Sequence, residues 1–192
     1  GVDVQLVPVA FPNAIPFLLT HKIDAIFAML GVTPERAKQI AYSEPYAEND
    51  ISVLAAKNTH IVTPADLKGL RVGVSRGTSA EKATLAILPS DAQIKRFDID
   101  ADSIQAFISG QTDTVSTSSL LLPIINKANP GLHAEVKLVL RTQYQSIGVR
   151  RDDADLLRWF NTFLFYVKGD GELNAIHEKW LHKPLPQFPT LN

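Results

Sequence analysis

Short apolar runs of strand length alternate with helical stretches along almost the whole chain, and this constrains the fold more than any other feature. Val4–Val9 reads as a strand, and Asn13 then caps a helix through Thr20. Ala25–Ala28 reads as a buried strand, followed by a helix opened by Thr33 and Pro34. Ile51–Ala56, Arg71–Val74, Ile94–Phe97, Thr114–Ser116, Val136–Leu140 and Ser146–Arg150 follow as strands on their β-branched and apolar content. Pro64-Ala65-Asp66-Leu67 reads as a helical turn, and helices are expected from Gly77-Thr78-Ser79 to about Leu88, from Asp102 or Asp100 to Ser109, and from Ser118 to Asn129. From Asp152 onward Leu156, Leu157, Phe160, Phe163, Leu164 and Val167 keep helical spacing, and a last short helix ends near Trp180. Strands joined by crossover helices make an α/β fold with largely parallel sheets.

At 192 residues the chain suits one mid-sized domain or two small lobes. An internal echo favours two. Leu19-Thr20-His21-Lys22-Ile23-Asp24-Ala25-Ile26 and Ile108-Ser109-Gly110-Gln111-Thr112-Asp113-Thr114-Val115 share one layout: helix end, polar turn, aspartate, buried strand. A net charge of −1 without a lysine or arginine run argues against a nucleic-acid partner. The apolar stretches fall short of the ~20 residues of a membrane helix. The absence of cysteine excludes a disulfide framework and a thiolate metal site, and fits an oxidising compartment.

Arg36 is the first candidate for chemistry. Thr33 is placed as an N-cap with Pro34 at the first helical position, and Glu35 suits the positive end of the helix dipole. A cation in that first turn is unfavourable by roughly 0.3–1 kcal/mol. A bound anion would offset this, because amides and a guanidinium fork would converge on it. The alternative is a solvated arginine paired with Glu35 or Glu44. A second anion candidate is the strand–glycine–helix run Val74-Ser75-Arg76-Gly77-Thr78-Ser79-Ala80-Glu81, in which Thr78 to Glu81 also reads as a capping box. Phe11 could stack on a ligand or simply fill core. Asp98, Asp100 and Asp102 alternate but lack the glycine and glutamate of a calcium loop. His177 and His182, five apart, fall on different helix faces, so no metal site and no cofactor is expected. No serine or cysteine stands in a nucleophile motif.

Several stretches, in order, resemble the type II periplasmic solute-binding proteins: the polar amino-acid-binding components of ABC importers, or bacterial extracellular solute-binding protein family 3. They are Ile15–Thr20 leading to Lys22–Ile26, Thr33-Pro34-Glu35-Arg36-Ala37, Tyr42-Ser43-Glu44-Pro45-Tyr46, Ala65–Val74 with Gly77-Thr78, and Gly171-Glu172-Leu173 with Ile176, Glu178, Lys179 and Trp180. The resemblance covers essentially the whole chain. It implies two lobes, each a mostly parallel sheet flanked by helices, with lobe one at residues 1–54 and 148–192 and lobe two at 55–147. Hinge crossings would lie at Ile51–Ala56 and Ser146–Arg150. A small carboxylate or amino acid would be captured by lobe closure and delivered to a membrane permease, in the periplasm, from a precursor with a signal peptide.

The resemblance also assigns roles. Arg36 matches the arginine that clasps the ligand carboxylate, and Thr78 and Ser79 match the second-lobe helix start that grips the same group. Phe11 matches an aromatic that packs on the ligand, and Ala28 and Gly31 fall where the α-ammonium is received. Gly31 offers no hydroxyl, and Ser118 stands where members commonly place an ammonium-binding aspartate. A solute with no free α-amine is therefore an open option. The family also has a strand and a helix ahead of the equivalent of Val4, so either the chain is a fragment or another, possibly swapped, chain completes lobe one. The expected function is binding without catalysis. The rivals are a cyclohexadienyl-type dehydratase on the same scaffold, which lacks a general acid among Thr117-Ser118-Ser119, and a periplasmic sensor domain of a receptor kinase.

Overall fold

The computed structural model describes residues 3–181 and 183–189. Its elements in chain order are α1 (Phe11–Leu19), α2 (Pro34–Ala37), β1 (Ile40–Tyr42), β2 (Ala47–Ala56), β3 (Arg71–Ser75), α3 (Ser79–Leu85), β4 (Gln93–Phe97), α4 (Asp100–Ile108), β5 (Thr114–Ser118), α5 (Leu122–Ala128), β6 (Ala134–Gln145), β7 (Gly148–Arg150), α6 (Ala154–Gly169) and α7 (Glu172–Leu181). The chain divides into two compact units, one of residues 1–48 and 144–192 and one of residues 49–143. The long strands β2 and β6 run through both boundaries.

In the first unit β1 and β7 pair antiparallel, Ile40 opposite Arg150 and Tyr42 opposite Gly148. Ile26 and Gly31 join by single bridges to Gly148 and Gln145. Ala14 and Leu18 of α1 pack with Ile26, Leu30 and Ile40, while Leu164 and Val167 of α6 pack with Ile147. Arg150, almost wholly buried, ties this unit together. Its guanidinium donates to the carbonyls of Leu18 (3.3 Å) and Ile23 (2.9 Å) and to the carboxylates of Asp24 (3.1 Å) and Asp153 (2.8 Å).

In the second unit five strands lie in the order β4-β3-β5-β2-β6. β3 runs parallel to β4 and β5, and β2 runs antiparallel to β5, so the sheet is mixed. Val53, Ala55, Val72 and Val74 feed one core while Leu54, Val115, Phe107 and Ile125 feed another. Alternate residues of β2 thus serve opposite faces, as a sheet covered on both sides requires. Arg71 at the start of β3 forks onto Asp113, Nε to Oδ2 at 3.0 Å and Nη2 to Oδ1 at 2.6 Å. That hydrogen bonding holds the Asp113 carboxyl below its usual range. The echo in the sequence therefore has a physical meaning: in each unit the aspartate before the buried segment receives an arginine from a neighbouring strand.

Several local expectations give way. Residues 3–10 form no strand, and Val4 and Leu6 are 78% and 88% exposed, because no described neighbour offers a ladder to that segment. Asn13 does not cap α1; Pro12 fits the first turn and moves the start to Phe11. Ala25–Ala28 contributes only the Ile26 bridge. Neither Asp100 nor Asp102 caps α4; Asp100 instead accepts the Ser75 hydroxyl at 2.5 Å and Ile99 takes the cap position. α3 stops at Leu85, and β5 continues through Ser118, whose hydroxyl accepts from the Leu120 amide and starts a 3-10 turn before α5.

Candidate ligand-binding site

The first unit gathers Phe11, Ala28, Gly31 and Arg36. Thr33 caps α2 as expected, its hydroxyl accepting from the Arg36 amide at 3.3 Å with Pro34 in the first turn. A cap leaves the arginine side chain at a fixed place on a one-turn helix. The guanidinium is then held from two sides. Nη1 donates to the Gly31 carbonyl at 2.9 Å, and the ring of Phe11 lies under it with the guanidinium carbon 4.9 Å from the centroid. Stacking of this kind suits a planar, weakly hydrated cation. Phe11 is only half-buried, and its ring contact is with Arg36, a role that the aromatic position alone does not announce.

Two tyrosines complete this group. The Tyr42 hydroxyl lies 3.5 Å from the Gly31 carbonyl, and the Tyr46 hydroxyl donates to the Ala28 carbonyl at 2.5 Å. Burial raises the pKa of both phenols; at Tyr42 the positive charge of Arg36 partly opposes it. Both therefore stay protonated donors at neutral pH. Phe27 packs edge-on against Tyr46, ring centroids 5.0 Å apart, and remains 62% exposed. In the sequence Tyr42 and Tyr46 stand out only as parts of the Tyr42-Ser43-Glu44-Pro45-Tyr46 motif. The signal they carry is the pair of aromatics flanking Ser43-Glu44-Pro45 after β1.

The second unit gathers Thr78, Ser79 and Ser118. Val74 pairs with Ser116 in the parallel register, so the carboxyl ends of β3 and β5 lie side by side, and both loops leave from that end. In open α/β sheets this is the end where ligands bind. The Thr78 hydroxyl accepts from the Glu81 amide at 3.1 Å and donates to the Ser75 carbonyl at 2.8 Å. Glu81 reaches back to the Gly77 amide at 2.8 Å, so the box closes one residue earlier than the motif predicts. The Thr78 proton thus goes to the end of β3, while its oxygen serves its own helix. Ser79 is buried, and Ser118 is buried at the end of β5. Thr84 donates to Ser116 at 2.7 Å and pins α3 to β5 below these groups.

Among the described residues no cluster of three histidines, cysteines or carboxylates could hold a metal, and His182 lies outside them. No helix of the described residues is long and apolar enough to cross a membrane.

Comparison with known proteins places this geometry. The model of the bacterial extracellular solute-binding proteins, family 3, matches residues 1–183. The ABC transporter arginine-binding protein 1 of Escherichia coli strain K12 is 36% identical over 179 residues, covering 89% of this chain and 71% of that protein. The ABC transporter glutamine-binding protein GlnH of Bacillus subtilis strain 168 is 29% identical over 178 residues, covering 92% of this chain and 64% of that protein. Among solved structures, an ancestral arginine-binding protein bound to glutamine has a TM-score of 0.87 at 32% identity, covering 95% of this chain and 81% of the other. An ancestral amino acid-binding protein described as a precursor of cyclohexadienyl dehydratase has a TM-score of 0.82 at 32% identity, covering 94% of this chain and 78% of the other. The curated relatives are named for binding, not for a reaction, and serve ABC transporters. With a family model matched over nearly its whole length and the α/β fold to go with it, this chain belongs to the bacterial extracellular solute-binding proteins, family 3.

Proposed function

We propose that this protein captures a small carboxylate-bearing solute, an amino acid or a related acid, through Arg36 and hands it to the permease of an ABC importer outside the cytoplasm. The observation that carries the proposal is the state of Arg36: stacked on Phe11, anchored on the Gly31 carbonyl and set in the first turn of α2. The Gly31 carbonyl and the Phe11 ring both help to orient a planar guanidinium that suits a carboxylate, and charge-assisted bonds of that kind are roughly twice as strong as neutral ones. In the second unit the Thr78 hydroxyl is engaged by the Ser75 carbonyl and the Glu81 amide. Capture of a solute in this way needs no chemical step.

Val4, Leu6, Phe27 and Met29 leave apolar surface exposed on the first unit, which suits coverage by a further segment or a second chain. Localisation follows the family, whose members are extracellular solute-binding proteins, and a signal peptide in the precursor would deliver it.

The test is a thermal-shift panel of amino acids and carboxylic acids on wild-type protein and on Arg36→Ala. A rise in melting temperature with a carboxylate that vanishes in Arg36→Ala supports the proposal. A rise of equal size in both proteins refutes it.

A further inference from the structure

We infer that the outward face of α6 is an interface between two copies of this chain, paired antiparallel about a two-fold axis passing between Asn161 and Thr162.

α6 is apolar on every side. From Trp159 to Val167 only Asn161 and Thr162 interrupt its apolar and aromatic residues. Phe160, Leu164 and Val167 pack inward with Ile147. A helix lying on a surface turns a polar side to water, yet here Trp159, Phe165 and Tyr166 stand 58%, 73% and 65% exposed. The rings brace one another: Trp159 stacks on Phe163 with centroids 5.8 Å apart, and Phe165 meets Tyr166 edge-on at 5.7 Å. Beside them runs a groove of about 600 Å³ whose lining side chains all belong to α6.

The middle of this groove makes little polar demand. Asn161 Oδ1 accepts from the Glu44 amide at 2.8 Å, and the Thr162 hydroxyl donates to the Arg158 carbonyl at 2.9 Å. Arg158 and Asp155 pair at 3.3 Å with both side chains largely in water, so the guanidinium can be redirected at little cost.

What selects a second copy is the symmetry of the face. Ala154, Arg158, Phe165 and Gly169 follow one line of the helix by its 3.6-residue period. Arg158 and Phe165 are equally far from the point between Asn161 and Thr162, and so are Ala154 and Gly169. An antiparallel copy turned about that point sets each Arg158 over the Phe165 ring of the other, a cation–π contact made twice. An alanine then faces a glycine at either end, which lets the helices approach closely. The three exposed rings leave on the order of 400 Å² of aromatic surface on each copy. Covered in both copies and joined by a polar rim, this passes the roughly 1,000 Å² that a specific interface needs. An interface of that size makes a weak dimer, dissociating in the micromolar range.

The test is sedimentation velocity over a series of about 1–500 μM chain, which brackets a micromolar constant. The mass should rise from the 21.1 kDa of one chain toward twice that value. Thr162→Arg brings two like charges to the two-fold axis and should raise the dissociation constant at least about tenfold. Val139→Glu, at an exposed apolar position on β6, should leave it unchanged. In a chain with no cysteine of its own, Thr162→Cys should cross-link into a dimer under mild oxidation and Val139→Cys should not. A Thr162→Arg dimer as tight as wild type, or faster cross-linking through Val139→Cys, puts the interface elsewhere and overturns the inference. A chain that stays monomeric at every concentration also overturns it. If that monomer floats with vesicles of phosphatidylethanolamine and phosphatidylglycerol, the aromatic face belongs to a lipid surface instead. Should Thr162→Arg fail to fold, the concentration series and the cross-links decide.

Discussion

Replacing Gly148 by alanine should loosen the first unit and weaken solute binding together. Gly148 pairs with Tyr42 and bridges Ile26, at the point where β7 crosses the core of that unit. An alanine Cβ would stand 2.7 Å from Leu30 Cδ2, 3.1 Å from Ile40 Cδ1 and 3.6 Å from Ile26 Cβ. Carbon atoms rest at about 3.5–4.0 Å, so the first two contacts are too close by about 0.4–1.3 Å. Leu30 is fully buried and Ile40 is 2% exposed, so neither side chain can swing into solvent. Overpacking of this kind costs about 1–3 kcal/mol, and the rotatable tip of Leu30 puts the figure near the middle, about 2 kcal/mol. That is a large share of the ~5–15 kcal/mol that stabilises a domain. Leu30 precedes Gly31, whose carbonyl holds Arg36, so displacement of Leu30 should also misplace the fork and weaken carboxylate binding several-fold. Urea unfolding followed by tryptophan fluorescence measures the first effect and titration with the solute measures the second. Adding Leu30→Val removes the offending carbon and should restore about 1 kcal/mol relative to the sum of the single variants. A Gly148→Ala protein within about 0.5 kcal/mol of wild type, or a double variant that is merely additive, would refute the packing argument.

Other consequences are open to direct measurement. Arg150→Met should cost about 2–4 kcal/mol in urea unfolding, chiefly from the stranded Leu18 and Ile23 carbonyls, because Asp24 is 83% exposed and resolvates; a cost below about 1 kcal/mol would contradict it. His177 is buried with both ring nitrogens unpartnered, and its pKa is lowered by desolvation and by Lys183, with Glu48 opposing. Its folded pKa lies below the unfolded value, so the stability is present above about 6.5 and is lost as pH falls through the folded value. His177→Phe should flatten that slope, and an unchanged slope would place the titration elsewhere. Thr78→Val should lower stability by about 1 kcal/mol through the lost cap, with Thr78→Ser restoring it; equal stability of the two variants would show that the hydroxyl does not serve the helix.

Much of this architecture was legible from residue patterns, for identifiable reasons. The Thr33-Pro34 start of α2, the Pro64–Leu67 turn and the amphipathic run of α6 are local signals, set by caps and periodicity, and each lies where it was expected. Val4–Val9 shows the opposite case: its alternation is strand-like, but a strand exists only where a neighbour supplies hydrogen bonds. The antiparallel direction of β2 against β5 has no local signature either. β5 runs past its expected end at Ser116 because Thr117 and Ser118, polar enough for a turn, are buried strand in a sheet where β5 lies between β3 and β2. At the site, Arg36 was visible from its awkward place in a helix N-terminus. Its supports were not, because the Phe11 stack and the Tyr42 and Tyr46 hydroxyls depend on how distant segments fold together. For the same reason the sequence does not show that the Ala28 and Gly31 carbonyls are engaged by Leu30, Tyr46 and Arg36.

The central claim is that Arg36 meets a carboxylate, and a thermodynamic cycle tests it most directly. The bound acid and its carboxamide would each be titrated into wild-type protein and Arg36→Ala by calorimetry. A fork-to-carboxylate contact predicts a coupling of at least about 1.5 kcal/mol, so that the acid loses its advantage over the amide once Arg36 is gone. A coupling near zero, with the acid favoured equally by both proteins, would mean that the solute's carboxylate is held somewhere other than Arg36.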